Sequence, residues 1–295
     1  MTEMVGRISE LWRFPVKSMA GEQLSEAAFI TRGLVGDRAY ALVDVQTGKV
    51  VSAKSVKTFP GILECRAAFL EEPEVGAEKP PVQITFPDAR SVTSDDADCD
   101  SVLSRFFDRK VTLSSVAPEN FTIDQYHPDV PEADPAGHRD TVVETKLGSA
   151  LFAEIGAPSP VPVGAFFDLF PVSVMSTSTL DKLRSLQPES RFEARRFRMN
   201  VIVDSDADGF VENDWIDRTL ALGRGPRVQV TMPDPRCVMP TLAQDDLPRD
   251  SDVLRTLVRH NRLELEGEGR YPCAGVYGVV AATGTARTGE SVVLV

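Results

Sequence analysis

The most reactive side chain in a constrained setting is Cys237, in the stretch V-T-M-P-D-P-R-C-V-M-P-T that spans residues 230–241. Pro235 and Pro240 flank it, and because proline fixes φ and cannot continue a central strand, we expect a rigid loop here. Arg236 directly precedes Cys237, and a neighbouring guanidinium favours the thiolate, which binds soft metals or attacks electrophiles. The alternative is that Cys237 is a small buried apolar residue in a turn.

Two further segments place cations and hydroxyl groups where an anion can bind. Lys17 and Ser18 follow a predicted first strand at residues 7–14, and a cation beside a hydroxyl suits a phosphate group. Arg38 opens the first strand of a hairpin predicted from residues 39–45 and 49–53. The alternatives are an exposed lysine on a turn and a surface ion pair between Arg38 and Asp37.

The apolar run at residues 166–175 is typical of a buried strand, and residues 176–188 read as the helix that follows it. Ser176 and Thr177 lie at the start of that helix, where hydroxyl and backbone N–H groups suit an anion. Ser178 and Asp181 resemble a capping box, so plain N-capping is the alternative to anion binding.

The segment R-R-F-R-M-N-V-I-V-D at residues 195–204 reads as a strand with a polar entry and an apolar body. Arg198 and Asn200 alternate with apolar residues in this strand and would share one face. The cluster of Arg195, Arg196 and Arg198 is therefore the best candidate for a basic pocket.

The spacing of the other metal-binding residue types indicates no further site. Cys65, Cys99 and Cys273 lie far apart without C-x-x-C spacing, which disfavours a zinc knuckle, a dithiol motif and a plant-type iron–sulfur cluster. His127 and His138 lie close to several aspartates, but without a recognisable ligand spacing we predict no metal site there. If the protein is a redox enzyme, its electrons must come from another protein or a small reductant.

The composition is that of an ordinary globular protein, with 295 residues, 42% of them apolar, and a net charge of −12. This charge argues against a nucleic-acid partner, which needs a basic face. The absence of a long apolar stretch argues against a membrane partner, and the absence of an apolar leader makes a cytoplasmic location the default expectation. We also expect helices at residues 95–107 and 250–260, and an active-site flap or a linker at residues 115–150.

The sequence resembles the MOSC domain family, because several of the family's motifs occur in the family's order. They are W-R-F-P-V-K-S-M-A-G (12–21), G-D-R-A-Y-A-L-V-D (36–44), R-R-F-R-M-N-V-I-V-D (195–204), D-W (214–215) and P-D-P-R-C (233–237). The family includes the C-terminal part of molybdenum cofactor sulfurases and the mitochondrial amidoxime-reducing component. The resemblance implies a mainly β (α+β) fold in two domains. An N-terminal β-barrel-like domain would span residues 1–115, a linker or insert 116–164, and a MOSC β-barrel with peripheral helices 165–295.

The resemblance also implies a molybdenum cofactor of the molybdopterin type and an oxidoreductase that removes oxygen from N-hydroxylated small molecules. Cys237 would be the catalytic residue and the metal ligand. The implied partners are a separate electron donor, such as a reductase, a cytochrome or an iron–sulfur protein, and a small-molecule substrate. The implied cofactor-binding residues are Lys17, Ser18, Arg38, Ser176, Thr177, Arg198, Asn200 and Arg236.

Two alternatives come from the same resemblance. Cys237 could carry a persulfide to an acceptor, or the chain could be a non-catalytic carrier of the cofactor. The resemblance also implies pyridoxal phosphate binding, at the level of the family as a whole. No pyridoxal-phosphate domain is visible in this sequence, so persulfide transfer would need a separate desulfurase. The chain departs from the amidoxime reductases after Arg-Cys, where it has Pro240-Thr241 and a later Asp245-Asp246. This difference bears on substrate and local geometry more than on metal ligation.

Overall fold

The computed structural model describes residues 2–265 and 267–295. Its first part is built from nine strands and one α-helix among the described residues, in agreement with the helix expected at residues 95–107. These elements are β1 (Glu3–Arg13), β2 (Glu22–Leu24), β3 (Glu26–Ile30), β4 (Gly33–Leu34), β5 (Ala41–Asp44), β6 (Arg66–Phe69), β7 (Val82–Thr85), β8 (Ser91–Thr93), α1 (Cys99–Phe106) and β9 (Val111–Ser114).

The rest of the described chain contains the other strands and helices. The middle segment consists of β10 (Thr122–His127), β11 (Thr141–Lys146) and α2 (Ser149–Glu154). The last part contains β12 (Val172–Ser176), α3 (Thr177–Leu186), α4 (Ala194–Phe197), β13 (Val201–Asp204), β14 (Thr219–Leu222), β15 (Arg227–Pro235), α5 (Asp252–His260), β16 (Arg262–Leu265), β17 (Gly269–Ala282), β18 (Gly284–Arg287) and β19 (Ser291–Leu294). Short 3₁₀ helices occur at Ile62–Glu64, Val211–Trp215 and Met239–Thr241.

Seven strands form a closed barrel in the order β12-β13-β1-β19-β14-β15-β17, which closes because β17 also pairs with β12. The β12–β13 pair is parallel, and the other pairs around the barrel are antiparallel. Inward side chains alternate with outward ones, as Val172 and Val174 of β12 illustrate. In β1 a register shift between Ile8 and Glu10 places Ile8 and Leu11 in the same core. The mainly β prediction is confirmed.

The first strand of the chain belongs to a barrel that is otherwise built from strands after residue 171. β1 lies between β13 and β19, with Leu11 opposite Val201 and Glu3 opposite Leu294. The two halves of the chain therefore share a strand, which is how residues directly after β1 come to lie beside residues of the second half. The boundaries 1–115, 116–164 and 165–295 stay a prediction.

The first half has its own core beside the barrel. The β6-β7-β8 sheet, the β5–β9 pair and α1 enclose an apolar cluster that includes Leu42, Ile84 and Leu103. The hairpin predicted at residues 39–53 is only partly formed: β5 pairs with β9, and its return run contributes a single bridge, Val43 to Val50. The segment predicted as a flap or linker contains the antiparallel β10–β11 hairpin.

Candidate functional site

Cys237 lies at the junction of two cavities. A narrow one of about 90 Å³ is lined by polar and charged side chains, and a wide one of about 930 Å³ opens on the other side. Cys237 is half-buried, and its position directly after β15 brings it into the lining of both cavities. The residues that line both cavities are Lys54, Asp168, Pro235, Arg236, Cys237 and Tyr277.

The approach to Cys237 is a bulged strand, so the expectation of a loop throughout residues 230–241 is wrong. β15 continues to Pro235 and pairs with β17, with Pro233 opposite Val276 and Pro235 opposite Cys273. The register shifts on both sides of Pro233, and such bulges are where a sheet tolerates a residue without an N–H donor. The turn itself is short, because Met239 already belongs to the next 3₁₀ helix.

Arg236 fixes this turn instead of acting as a free cation beside the thiol. Its guanidinium donates to the backbone carbonyl of Ala274 at 2.6 and 2.9 Å and to that of Phe197 at 3.0 Å. It also pairs with Asp234 at 2.7 Å. Since most of its donors are engaged by the protein, Arg236 positions Cys237 and holds β15 against β17.

Asp234 is a buried carboxyl group in the wall of the narrow cavity, which the sequence analysis did not single out. Burial raises its pKa to about 6, although Arg236 opposes the shift. Its Oδ1 atom is buried and has no hydrogen-bond partner among the described residues. An unsatisfied buried acceptor in a cavity wall is suited to a donor group on a ligand.

Two lysines and one aspartate form a buried cluster on the other wall. Lys17 donates to the carbonyl of Phe166 at 2.8 Å and pairs with Asp168, while Lys54 pairs with Asp168 at 2.8 Å. Burial opposes ionisation of Asp168, but the two lysines outweigh it and lower its pKa. Burial likewise opposes the charge on Lys54, and Asp168 followed by Cys237 raises its pKa above the ordinary value. Lys54 is therefore the cation next to Cys237.

The sequence left open which lysine after the hairpin would be used, and the structure distinguishes the two. Lys54 is buried in the cavity wall, whereas the ammonium of Lys57 lies over the ring of Tyr126 at 5.2 Å. Asp168 was missed, and its signal was a single carboxylate inside the apolar run F-F-D-L-F at residues 166–170. Tyr277 was also missed as a lining residue, and burial raises its pKa well above the ordinary value.

Arg38 and Arg198 bring two guanidinium groups to one aromatic ring in the narrow cavity. Their central carbons lie 4.5 and 4.3 Å from the ring centroid of Phe14. Arg38 pairs with Asp37 at 2.5 Å, but Arg198 donates to the carbonyl of Met19 at 2.7 Å and has no carboxylate partner among the described residues. Burial and then Arg38 lower the pKa of Arg198 to about 9. An anion between the two arginines would relieve this repulsion.

Three residues of this cavity have left-handed backbone conformations, which non-glycine residues rarely adopt. The φ angles are 68° at Ser18, 48° at Arg38 and 56° at Arg198. Each such residue costs about 1–3 kcal/mol and persists only where its surroundings impose it. Ser18 accepts a 2.9 Å hydrogen bond from the backbone N–H of Ala53, which ties its loop to the loop of Lys54.

The strand expected at residues 195–204 forms only in its apolar body, β13, and its polar entry R-F-R-M-N is not a strand. Ala194–Phe197 form α4, Arg198 ends it in the left-handed conformation, and β13 starts at Val201. Asn200 lines the cavity but is engaged by the protein: its side chain donates to Asp37 at 2.9 Å and accepts from Ser173 at 3.1 Å. The reversal at Arg198 turns its side chain into the cavity, whereas Arg195 pairs with Glu193 and Asp246 at the surface.

The structure does not bring Ser176 and Thr177 into the lining of either cavity. Ser176 is the N-cap of α3 and accepts from the N–H of Thr179, so the capping residue is Ser176 and not Ser178. Its hydroxyl donates to buried Glu212 at 2.5 Å, and Thr177 donates to Asp204 at 3.2 Å. The helix start predicted to bind an external anion is thus occupied by one of the chain's own carboxyl groups.

The other cysteines are buried, and none of the four forms a disulfide in the described residues. Burial raises the pKa of Cys273 and of Cys65 to about 12 and that of Cys99 to about 11. A thiol with a raised pKa is a poor nucleophile and metal ligand at neutral pH. Cys273, which lies opposite Pro235, is therefore a structural residue.

The wide cavity has a mixed wall. Apolar residues of α2 and the nearby strands, such as Leu151 and Met232, line one side. His127 at the end of β10 lines another side, together with Asp134 and His138 of the loop that follows. Burial lowers the pKa of His127. Among the described residues, no helix is long and apolar enough to cross a membrane.

Comparison with known proteins shows which proteins the chain resembles. The chain is 24% identical over 307 residues to mitochondrial amidoxime reducing component 2 of Homo sapiens. This alignment covers 98% of the present chain and 84% of the human protein. It is 23% identical over 311 residues to mitochondrial amidoxime-reducing component 1 of Homo sapiens, in an alignment that covers 100% of the present chain and 84% of that protein. The crystal structure of the YuaD protein from Bacillus subtilis aligns with a TM-score of 0.45 at 11% identity, covering 100% of this chain and 96% of that one.

Two family models match most of the chain. The model of the MOSC N-terminal beta barrel domain matches residues 5–115, and the model of the MOSC domain matches residues 163–293. The strand that the two halves share and the cavity between β1, β12 and β15 lie within these matched segments. The chain belongs to the MOSC domain proteins that carry a MOSC N-terminal beta barrel domain.

Proposed function

We propose that this chain is an oxidoreductase that binds a molybdenum cofactor through Cys237 and reduces N-hydroxylated small molecules. The observation that carries the proposal is the narrow cationic cavity that ends at Cys237. It contains a buried arginine, Arg198, without a carboxylate partner among the described residues, next to a second arginine over the same ring. Such a cavity suits an anionic ligand, and the pterin cofactor of molybdenum enzymes ends in a phosphate.

The residues fit the phosphate end of that cofactor. Arg38 and Arg198 offer guanidinium donors, which bind phosphate oxygens in a planar, bidentate manner. Lys17 and Lys54 add positive charge on the opposite wall, although Asp168 already neutralises part of it. Ser18 lies on the same wall in its strained conformation. These residues would hold the anion by charge and by fixed donors.

The residues also fit the metal end. Cys237 is the half-buried cysteine of the chain and opens to both cavities, and thiolate sulfur is the donor that soft metal centres select. When bound, the cofactor supplies a metal centre that exchanges two electrons and accepts an oxygen atom. Lys54 lines both cavities together with Cys237, and Arg236 fixes the turn that presents the sulfur.

The wide cavity would admit the substrate. Cleavage of the N–O bond of an amidoxime consumes two electrons and two protons and releases water. Tyr277 lines the cavity together with Cys237 and keeps its proton, because burial raises its pKa, so its hydroxyl would be a hydrogen-bond donor for the N-hydroxyl oxygen of a substrate. The names of the human relatives support an amidoxime or a similar N-hydroxylated compound as substrate. A separate electron donor would supply the electrons.

The test compares the metal and pterin content of the purified full chain with that of Cys237→Ala and Cys273→Ala variants, after expression in a host that makes the cofactor. We expect one molybdenum and one pterin per wild-type chain. Cys237→Ala should keep the pterin and lose or loosen the molybdenum, while Cys273→Ala should keep both. Amidoxime reduction with a chemically reduced dye should follow the molybdenum content.

Three outcomes would overturn the proposal or part of it. Wild-type protein without molybdenum or pterin would exclude the oxidoreductase and leave persulfide transfer by Cys237 as the better hypothesis. Stoichiometric cofactor that is released intact to an apo-enzyme, without any amidoxime reduction, would identify a carrier. Equal molybdenum in the wild type and in Cys237→Ala would remove Cys237 as the metal ligand.

A further inference from the structure

The β10–β11 hairpin gathers three metal-binding side chains that lie apart in the sequence. His127 is the last residue of β10, opposite Thr141 at the start of β11. The connecting loop at residues 128–140 carries Asp134 and His138, and it folds back over the end of the hairpin. One donor atom from each of the three side chains lies within 4.8 Å of the others.

The carboxylate of Asp134 stands between the two imidazole rings. Its Oδ2 atom lies 2.6 Å from Nδ1 of His138 and 3.5 Å from Nδ1 of His127, and the two rings lie 5.0 Å apart. The same oxygen accepts the backbone N–H of His138 at 3.1 Å, which fixes the carboxylate. His127 and Asp134 are mostly buried, and His138 is partly exposed.

We propose that His127, Asp134 and His138 bind a divalent transition-metal ion of the zinc class in the wall of the wide cavity. Two imidazoles and one carboxylate form a common donor set for Zn²⁺ sites that keep an open position. Zinc–ligand distances of about 2.0–2.2 Å in a tetrahedron separate the donor atoms by about 3.3–3.6 Å. The separation of Asp134 from His127, 3.5 Å, lies within this range, and that of Asp134 from His138, 2.6 Å, lies below it. All three donor atoms lie within 4.8 Å of one another, so small side-chain rotations bring them onto one ion.

The surroundings favour a cation at this place. Glu264 and Glu268 line the same cavity and add negative charge to its wall. The side-chain amide of Gln125 lies 3.4 Å from Nε2 of His127. With its oxygen turned inward, this amide accepts the N–H of a ring that binds metal through Nδ1, which is the usual arrangement behind a metal-bound histidine.

An ion held by three protein ligands keeps a fourth coordination position. All three ligands line the wide cavity, so this position takes water or an oxygen or nitrogen atom of a small molecule in the cavity. The site is separate from the one proposed for molybdenum, because the narrow cavity is lined by other residues. The inference therefore stands or falls independently of the oxidoreductase.

The test is calorimetric titration of the chelator-treated full chain with ZnCl₂, together with the visible spectrum after addition of CoCl₂. All titrations use a Cys237→Ala background, since the thiol lines the same cavity and would bind zinc itself. We expect one Zn²⁺ per chain and the intense visible bands of tetrahedral Co²⁺ without a thiolate charge-transfer band. His138→Ala and Asp134→Asn should weaken zinc binding by about 100-fold or more, beyond the 10–100-fold effect of outer residues.

The matched control is His260→Ala, which removes the remaining histidine of the chain at an exposed position in α5. This variant should bind zinc like the background protein. The proposal is overturned if the background protein binds no zinc, or if His138→Ala binds it as tightly as His260→Ala. In either case the three residues are a hydrogen-bonded clamp of the loop. Because His138 is partly exposed, its variant should fold, and the thermal unfolding temperature checks this.

Discussion

At the residue scale, the chemistry of the candidate site depends on which charges are already neutralised by the protein. Arg236 pairs with Asp234 and donates to backbone carbonyl groups. Arg198 donates to one carbonyl group and lies near a second arginine, Arg38. Arg236, next to Cys237 in sequence, is therefore structural, and the arginine suited to an anion is Arg198, in an earlier segment of the chain.

Replacement of Arg198 by methionine should remove anion binding without unfolding the protein. A charge-assisted hydrogen bond contributes about 1.5–3 kcal/mol, so phosphate binding should weaken roughly tenfold or more. The variant also loses a buried cation without a carboxylate partner among the described residues, so its own stability should be equal or higher. The measurement is the rise in thermal unfolding temperature with added inorganic phosphate.

The control for this experiment is Arg195→Met, which removes a surface arginine three residues earlier that pairs with Glu193 and Asp246. It should keep the full phosphate response. If Arg198→Met retains that response as well, the narrow cavity is not an anion site.

Asp168→Asn should destabilise the protein by about 3–5 kcal/mol at neutral pH, because it leaves two buried lysines without their counter-charge. The lysines lower the pKa of Asp168 in the folded state, so its contribution is present above its ordinary pKa of about 3.9. The contribution is lost as the pH falls through the folded-state value. Urea unfolding at neutral and at acidic pH therefore gives a difference between wild type and variant that shrinks on acidification.

Asp88→Asn is the matched control, since Asp88 pairs with Arg90 at an exposed position. It should leave the urea midpoint unchanged at neutral pH. A variant at Asp168 that unfolds at the same urea concentration as wild type would show that the lysines find other partners or lose their protons.

At the element scale, the start of α3 shows how the fold can occupy a predicted site with its own groups. The hydroxyl and N–H groups expected to meet an external anion instead meet Glu212, which also accepts the N–H of Gly275 at 3.1 Å. Burial raises the pKa of this carboxyl group, while Ser176 and Thr179 oppose the shift. The helix α3 was predicted correctly, but the group that its first turn contacts was not.

Ser176→Ala should therefore cost about 1–2 kcal/mol of unfolding free energy through loss of the cap, and leave molybdenum and pterin content unchanged. Chemical unfolding and metal analysis of one preparation measure both quantities. Thr177→Ala, beside it but outside the cap, should lose less stability and also keep its cofactor. Loss of pterin in either variant would return these residues to the binding site.

At the scale of the whole molecule, the shared strand β1 couples the two halves of the chain. Its body closes the barrel of the second half, and the loop that follows carries Lys17 and Ser18 into the cavity. The glycine at position 275 assists on the opposite side, because a Cβ there would lie 2.8 Å from the carbonyl oxygen of Val174. The close approach of β17 to β12 that closes the barrel thus excludes larger residues.

Leu11→Ala should destabilise the whole molecule by about 2–5 kcal/mol, although Leu11 belongs to the first half of the sequence. Because its side chain fills the barrel, we expect one cooperative transition at a lower denaturant concentration, with both halves unfolding together. Met4→Ala in the same strand is exposed and should change little. Two separate transitions in the variant would contradict the coupling.

The sequence alone determined the features that depend on neighbouring residues. The constrained Arg-Cys turn, the mainly β composition, α3 and α5, and the family motifs follow from local residue types and spacing. It failed where a local pattern was ambiguous, as in R-F-R-M-N, whose alternation fits a strand but whose chain reverses at Arg198. The prolines of β15 did not exclude a strand, because the strand is bulged there and tolerates residues that lack an N–H donor.

Tertiary structure decided which charges meet, because those contacts join distant parts of the chain. Arg38 reaches the backbone of Arg198 across 160 residues, and Lys17 reaches Asp168 across 151. The hairpin folds His127, Asp134 and His138 together although their spacing matches no known ligand pattern. The types of charged residue could be identified from the sequence. Which of them pair with another charge depends on packing over the whole molecule, so only the fold determined it.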